Sequence, residues 1–311
     1  MSTLLTDILI DLVDLEKCRF SPDNTDLSDH EKKTLVEHIK IEIQQLPSDT
    51  VDYNLSCQGY VFRGHKQESI TGTYHALRRV SETIMSLNEL KMPESFVKTL
   101  SDKCLCSGGL ILVSGMTGSG KSTTIASLLL ERLKLFGGMA ITIENPVEAM
   151  LSGEHGKGFC IQTAVSSEAE THVALRGALR CFPSKQQQGI LLIGEIRDSY
   201  TALHALNAAL SGHLVIATLH GSDIIASLRR MISVASSDSS ENEALSLLSQ
   251  TMRVTIHQRY ENGIHKFAML ANNNASSAIG QHIASGSMEK LSTAIQQQAN
   301  KSMSGQILWS Q

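Results

Sequence analysis

The amino-acid sequence predicts an α/β protein in two parts: a doubly wound, parallel-sheet domain preceded by a small α+β domain. Four short, almost wholly apolar runs (Leu110–Ser114, Ala140–Ile143, Ile190–Ile193 and Leu214–Thr218) read as strands buried on both faces, as in a sheet covered by helices. Helical segments at Lys121–Leu135, Glu168–Arg180 and Ser199–Leu210 lie between them, and strand alternating with helix marks a doubly wound sheet. Upstream, Val51–Val80 breaks into short alternating stretches separated by Gly59, Gly64 and Gly72, which suits a small sheet.

Taken in order, residues 1–20 suggest an amphipathic helix, with Leu5, Ile8, Leu12 and Leu15 on one face. Ser21-Pro22-Asp23-Asn24 reads as a turn. Asp29–Gln45 is a second helical pattern, closed by Pro47. Ser81–Ser107 is polar, contains Pro93 and reads as a joint. After Ser222 the pattern is helical to the end, with a polar patch at Ala271–Ser277 and a last helix near Ser287–Ser302. The expected organisation is an N-terminal domain over 1–90, a linker over 91–107, the α/β domain over 108–275 and a C-terminal helical segment over 276–311.

Composition narrows the class. With 41% hydrophobic residues and 22 glycines in 311 positions, the chain is not disordered, collagenous or a coiled coil. Its 27 basic and 31 acidic residues give a net charge of −4, so no global basic field exists to grip nucleic acid or an anionic membrane. No stretch approaches the run of 18 or more apolar residues that spans a bilayer. Met1–Lys17 carries Asp7, Asp11, Asp14 and Glu16, unlike a secretory leader, so a cytoplasmic location is expected. The six cysteines are scattered, and Cys104-x-Cys106 is one residue short of zinc-knuckle spacing; reduced thiols and no zinc are expected.

The chemistry begins at Gly115-Met-Thr-Gly-Ser-Gly-Lys-Ser122, which fits G-x-x-x-x-G-K-[ST] between a buried strand and a helix, the setting that confirms a phosphate-binding P-loop. Gly115, Gly118 and Gly120 permit the tight turn, and with Thr117 and Ser119 they present backbone N–H groups to phosphate at a helix N-terminus. Lys121 supplies a point charge for the β- and γ-phosphates, and the Ser122 hydroxyl is a ligand for Mg²⁺. Glu195, at the C-terminal tip of the apolar strand Ile190–Ile193, is the candidate to polarise the attacking water, directly or through the metal. Glu144, at the end of Ala140–Ile143, is a weaker candidate, with a surface charge as the equal alternative. His213 and His220 bracket Leu214–Thr218, about 20 Å apart at roughly 3.3 Å per residue, so they cannot share one metal ion. His220 is placed to touch a γ-phosphate, whereas His213 is expected to cap or pack.

These four elements, in this order and spacing, resemble the ATPase family of type II and type IV secretion systems, which includes type IV pilus motors and conjugation ATPases. Gly115–Thr124 (GMTGSGKSTT, ending Ser122-Thr123-Thr124) is similar to its Walker A, Ile141–Glu148 to its Asp box, Gly194–Asp198 (GEIRD) to its Walker B tail and Ser211–His220 to its His box. The resemblance implies a RecA-like P-loop NTPase core behind a PAS-like N-terminal domain, ATP and Mg²⁺ as cofactors, and a homo-hexameric ring. It also implies docking on an inner-membrane platform protein, with no direct nucleic-acid contact. By the same resemblance Arg78 takes the place of an N-domain arginine at the nucleotide, and Arg176 and Arg180 match an arginine pair that completes the site.

Three departures stand out. The Asp box has Asn145 where aspartate is usual; Phe182-Pro183-Ser184 replaces an acidic stretch; and the arginines of an RxRxN stretch are missing near Tyr53–Leu55. Without a tetracysteine insert or a long N-terminal extension, the chain looks most like the pilus-retraction branch. A conjugation or type IV secretion ATPase, or an ATP-binding paralogue that regulates a partner motor, are the alternatives.

Overall fold

The computed structural model describes residues 5–14, 17–23, 27–183 and 189–309. Two compact units emerge, one of Met1–Thr83 with Pro146–Met150, the other of Ile84–Asn145 with Leu151–Gln311.

The first unit is a five-stranded antiparallel sheet in the order β2-β1-β5-β4-β3, built from β1 (Asp7–Asp11), β2 (Arg19–Ser21), β3 (Asp52–Cys57), β4 (Tyr60–Ser69) and β5 (Gly72–Arg79). Helix α1 (Asp29–Gln44) starts at a capping box, where the Ser28 hydroxyl accepts from the Glu31 N–H and the Glu31 carboxylate accepts from the Ser28 N–H. Its Leu35, Val36, Ile39 and Ile43 join Ile8, Ile10, Leu55, Phe62 and Leu77 in one apolar core.

The N-terminal helix expected over residues 1–20 is not found. The described part forms β1, which pairs with β5 from Asp7↔Arg78 to Asp11↔Tyr74. Ile8 and Ile10 are both buried, a period of two that the helical pattern of leucines masked. The Asp11 carboxylate accepts the Val13 and Asp14 N–H groups and turns the chain after the strand. Leu15 and Asn24 lie outside the described residues.

The second unit carries an eight-stranded sheet, ordered β13-β12-β6-β11-β10-β7-β9-β8. The four strands read from sequence form its centre: β6 (Gly109–Ser114), β11 (Leu214–Leu219), β10 (Gly189–Ile193) and β7 (Gly138–Glu144), all parallel. Every residue of β6 and β11 is buried, as their apolar composition requires. The expected helices appear as α3 (Lys121–Phe136), α4 (Glu168–Cys181) and α5 (Ser199–Leu210), and within the polar joint lies α2 (Glu94–Leu100). No helix among the described residues is long and apolar enough to cross a membrane.

The stretch after Ser222 is not helical throughout. Helices α6 (Ile224–Ala235) and α7 (Glu241–Thr251) are followed by a hairpin, β12 (Met252–Glu261) and β13 (Ile264–Ala271), then by α8 (Ala278–Ala284) and α9 (Leu291–Met303). The hairpin turns on Asn262-Gly263, both at positive φ (52° and 78°), the conformation in which a two-residue loop matches strand twist. Strand β12 pairs in parallel with β6 and so places this late segment beside the P-loop strand. At the other side β8 (Gly153–His155) and β9 (Gly158–Ala164) extend the sheet from β7.

Candidate functional site

Parallel strands put their C-terminal ends along one edge, where ligands bind in open α/β sheets. Here Leu219 pairs with Ser114 and Ile193 with Ala217, so β6 and β11 end level and β10 two residues earlier, and the P-loop, His220 and Gly194-Glu195 emerge along one edge.

The P-loop leaves β6 at Gly115 and enters α3 at Lys121, with Gly118 and Gly120 at φ 78° and 86°. Met116, Thr117 and Gly118 are exposed, while Ser119 is buried. Lys121 Nζ donates to the Gly115 and Met116 carbonyls, both at 3.0 Å, and so spans the mouth of the loop. Ser122 and Thr123 open the first turn of α3, half-buried and exposed. This is an N-terminus of a 16-residue helix with a lysine over it, suited to a polyphosphate.

The sequence assigns no role to the residue that backs this loop. Gln258 of β12, 1% exposed, donates from Nε2 to the Ser119 carbonyl at 2.6 Å. A Cβ on Gly115 would lie 2.2 Å from the Gln258 carbonyl oxygen, so only glycine lets the loop sit against β12. The Asn262-Gly263 turn was the available signal that a hairpin, and hence Gln258, could reach the sheet. Beside the loop opens a cavity of about 410 Å³, lined by Met85, Leu90, Thr123, Ile264, His265 and Phe267, an apolar slot next to the phosphate cradle.

Glu195 is held by two side chains, an arginine and a histidine. Arg197 Nε donates to Oε2 at 2.6 Å, and His220 Nε2 lies 2.8 Å from Oε1. The carboxylate is thereby fixed in direction at the end of β10. The loop that carries it is fastened to β11, since the Thr218 hydroxyl donates to the Gly194 carbonyl and the Ile196 N–H to the Thr218 carbonyl. A small recess beside it is lined by Asn145, Glu168, Thr171, Glu195, Arg197 and Asp198.

Glu144 is no surface charge: it is 7% exposed, and its Oε1 accepts from the Thr142 hydroxyl at 2.6 Å and from Gln162 Nε2 at 2.9 Å. His213, at the far end of β11, packs its ring 4.8 Å from Phe182, the structural role expected of it.

The arginines have different settings. Arg176 on α4 donates from Nη1 to the Tyr200 hydroxyl at 3.1 Å. The Tyr200 ring stands between those of His172 and His204, at 4.1 and 3.9 Å. His172 Nε2 in turn lies 3.0 Å from Asp198 Oδ1, joining α4 to the N-cap of α5. Burial alone would push Asp198 up, but the Thr201 N–H and hydroxyl and His172 hold it below the usual carboxylate range. Arg180 is exposed in the last turn of α4. Arg78 belongs to the other unit, on β5, where its Nε donates to Asp7 Oδ1 at 2.7 Å.

The Ser122 hydroxyl in the first turn of α3 is a hard oxygen of the kind Mg²⁺ takes, while Glu195 follows β10, two strands from β6 in the sheet.

Known proteins resemble this chain in sequence and in fold. A solved structure described as "Crystal Structure of the Pilus Retraction Motor PilT and Bound ADP" superposes with a TM-score of 0.71 at 26% identity, over 94% of this chain and 86% of the other. A "Type IV pilus retractation ATPase PilT" of Pseudomonas aeruginosa is 34% identical over 215 residues, 67% of this chain and 57% of the relative. A "Twitching motility protein" of Neisseria gonorrhoeae is 30% identical over 234 residues, 75% of this chain and 57% of the relative. The chain thus spans under three-fifths of the length of these curated relatives. The model of one family, "Type II/IV secretion system protein", matches residues 31–303, and the chain belongs to that family.

Proposed function

We propose that this chain is an ATPase motor of a type IV pilus, of the retraction kind, binding ATP at Gly115–Thr123 and hydrolysing it with Glu195 as the residue that orients and deprotonates the attacking water. The observation that carries the reading is the Glu195–His220 contact of 2.8 Å, beside the P-loop on one sheet edge. His220 and Arg197 hold the carboxylate in one direction, Lys121 neutralises phosphate charge, and the apolar slot takes the base. When bound, Mg²⁺ held by Ser122 and Glu195 would supply further charge neutralisation at the phosphates. Glu144 buttresses the site from β7 through Thr142 and Gln162. Arg78, Arg176 and Arg180 stabilise transferred charge from mobile or neighbouring parts of a homo-hexamer. The ring docks on an inner-membrane platform protein at its cytoplasmic face. The bound ADP named for the similar PilT structure supports the nucleotide site.

Asn145 favours a second reading, an ATP-binding paralogue that tunes a partner motor, since one carboxylate of the Asp box is gone. One experiment separates the two: Mg²⁺-dependent ATP hydrolysis by the purified chain and by Glu195→Gln, with particle mass recorded on the same samples. Hydrolysis in a ring-sized particle that vanishes in the variant supports the motor. Binding without turnover in either form supports the paralogue.

A further inference from the structure

We infer that Gln258 is a positioning residue that aims the Gly120 N–H into the phosphate cradle, an inference that rests on the nucleotide reading of the P-loop. The amide of Gln258 donates to the Ser119 carbonyl at 2.6 Å, between two buried groups. A trans peptide unit is planar, with its C=O and N–H pointing opposite ways. Pinning the Ser119 carbonyl toward β12 therefore turns the N–H of the same unit, that of Gly120, away from β12 and toward the open side of the loop. Gly120 holds φ at 86°, a conformation that most side chains resist and that leaves the unit free to rotate unless something holds it.

Packing supports the same role. The Gln258 backbone fills the space a Gly115 side chain would need, and its Nε2 lies 3.3 Å from where a Gly120 Cβ would stand. The other half of the amide makes no such contribution, because Gln258 Oε1 is buried without a hydrogen-bond partner among the described residues. A buried unpaired oxygen is unfavourable, and an apolar side chain of the same shape would avoid it. The glutamine is thus a stability-neutral or costly choice whose one satisfied bond is to the P-loop backbone. Strand β12 is buried from Val254 to Gln258, and Gln258 is the last residue of that buried stretch before the strand becomes exposed at Arg259.

The test uses the whole chain as wild type, Lys121→Ala, Gln258→Met and Gln258→Glu. Met keeps the length and removes the donor; Glu keeps the shape and, when ionised, cannot donate. Affinities are measured for ATP, for inorganic pyrophosphate and for adenosine, with the melting temperature of the nucleotide-free protein. A correctly aimed N–H to a charged phosphate is worth about ten- to a hundredfold in affinity. The expected result is a loss of about tenfold or more for ATP and pyrophosphate, a loss of about threefold or less for adenosine, whose slot Gln258 also lines, and a melting temperature no lower for Met than for wild type. If whichever variant folds binds pyrophosphate within twofold of wild type, the inference is overturned. A parallel loss for adenosine and pyrophosphate also overturns it, because that marks a general packing role. If Lys121→Ala itself leaves ATP and pyrophosphate binding unchanged, the nucleotide reading of the loop fails, and the Gln258 inference falls with it.

Discussion

Glu195 Oε1 and His220 Nε2 lie 2.8 Å apart, so the ends of two adjacent strands, β10 and β11, are joined by one charge-capable contact. The carboxylate reaches this position because Ile193 pairs with Ala217, so that Glu195, two residues on, falls level with Leu219, the last residue of β11 and the one before His220. Glu195→Gln keeps the shape and removes the base, so turnover should fall by about 10²–10⁴ with ATP affinity kept. His220→Ala frees one carboxylate oxygen while Arg197 still holds the other, so its loss of turnover should be smaller. Steady-state hydrolysis beside equilibrium nucleotide binding measures both; equal losses in the two variants would contradict this division.

Asn145 lines the recess that also holds Glu195 and Arg197. Asn145→Asp returns a carboxylate to that recess and should raise turnover several-fold if its absence limits hydrolysis. A drop instead would mean that added negative charge beside Glu195 disturbs the base. Initial rates across a Mg²⁺ series distinguish the cases.

Arg176 is held by the Tyr200 hydroxyl, while Arg180 is exposed on the next turn of α4. If they serve a neighbouring subunit, Arg176→Ala and Arg180→Ala should each lower turnover by about 10³ or less and leave nucleotide affinity unchanged. Mixing Arg180→Ala subunits with Glu195→Gln subunits should then restore part of the activity, because some mixed interfaces carry both groups intact. Absence of any recovery would place the arginines in their own subunit's site or outside it.

His75 is buried in the first unit, with its Nδ1 2.7 Å from the Tyr53 hydroxyl. Burial lowers its pKa below the ordinary 6.5, and burial does the same to His257 in the second unit. Between the folded and unfolded pKa values the unfolded chain binds more protons, so stability is present above about pH 6.5 and lost as the pH falls below it. The melting temperature should therefore drop from pH 7.5 to 5.5, and His75→Gln should flatten that dependence. An equal slope in the variant would assign the effect to other groups. In the same sheet a Cβ on Gly64 would lie 2.2 Å from the Tyr53 ring, so Gly64→Ala should lose about 1–3 kcal/mol.

The central sheet, three of its helices and the P-loop were determined by sequence alone. Runs such as Ile190–Ile193 are apolar on both faces and can only be satisfied in a covered parallel sheet, and Gly115–Ser122 carries its chemistry in its spacing. The place of Glu195 at a strand tip was legible for the same reason. What local pattern could not supply were features settled by distant partners. β1 is a strand because β5 offers it a ladder, although Leu5, Ile8 and Leu12 in and around it also fit a helix. β12 lies beside β6 across more than a hundred residues of chain, and only that pairing brings Gln258 onto the P-loop. The burial of Glu144, the pairing of Glu195 with His220 and the hold of Tyr200 on Arg176 likewise depend on contacts between segments far apart in sequence. Short-range periodicity reports which face of a segment is apolar; tertiary structure decides which partner covers it and which polar groups then meet.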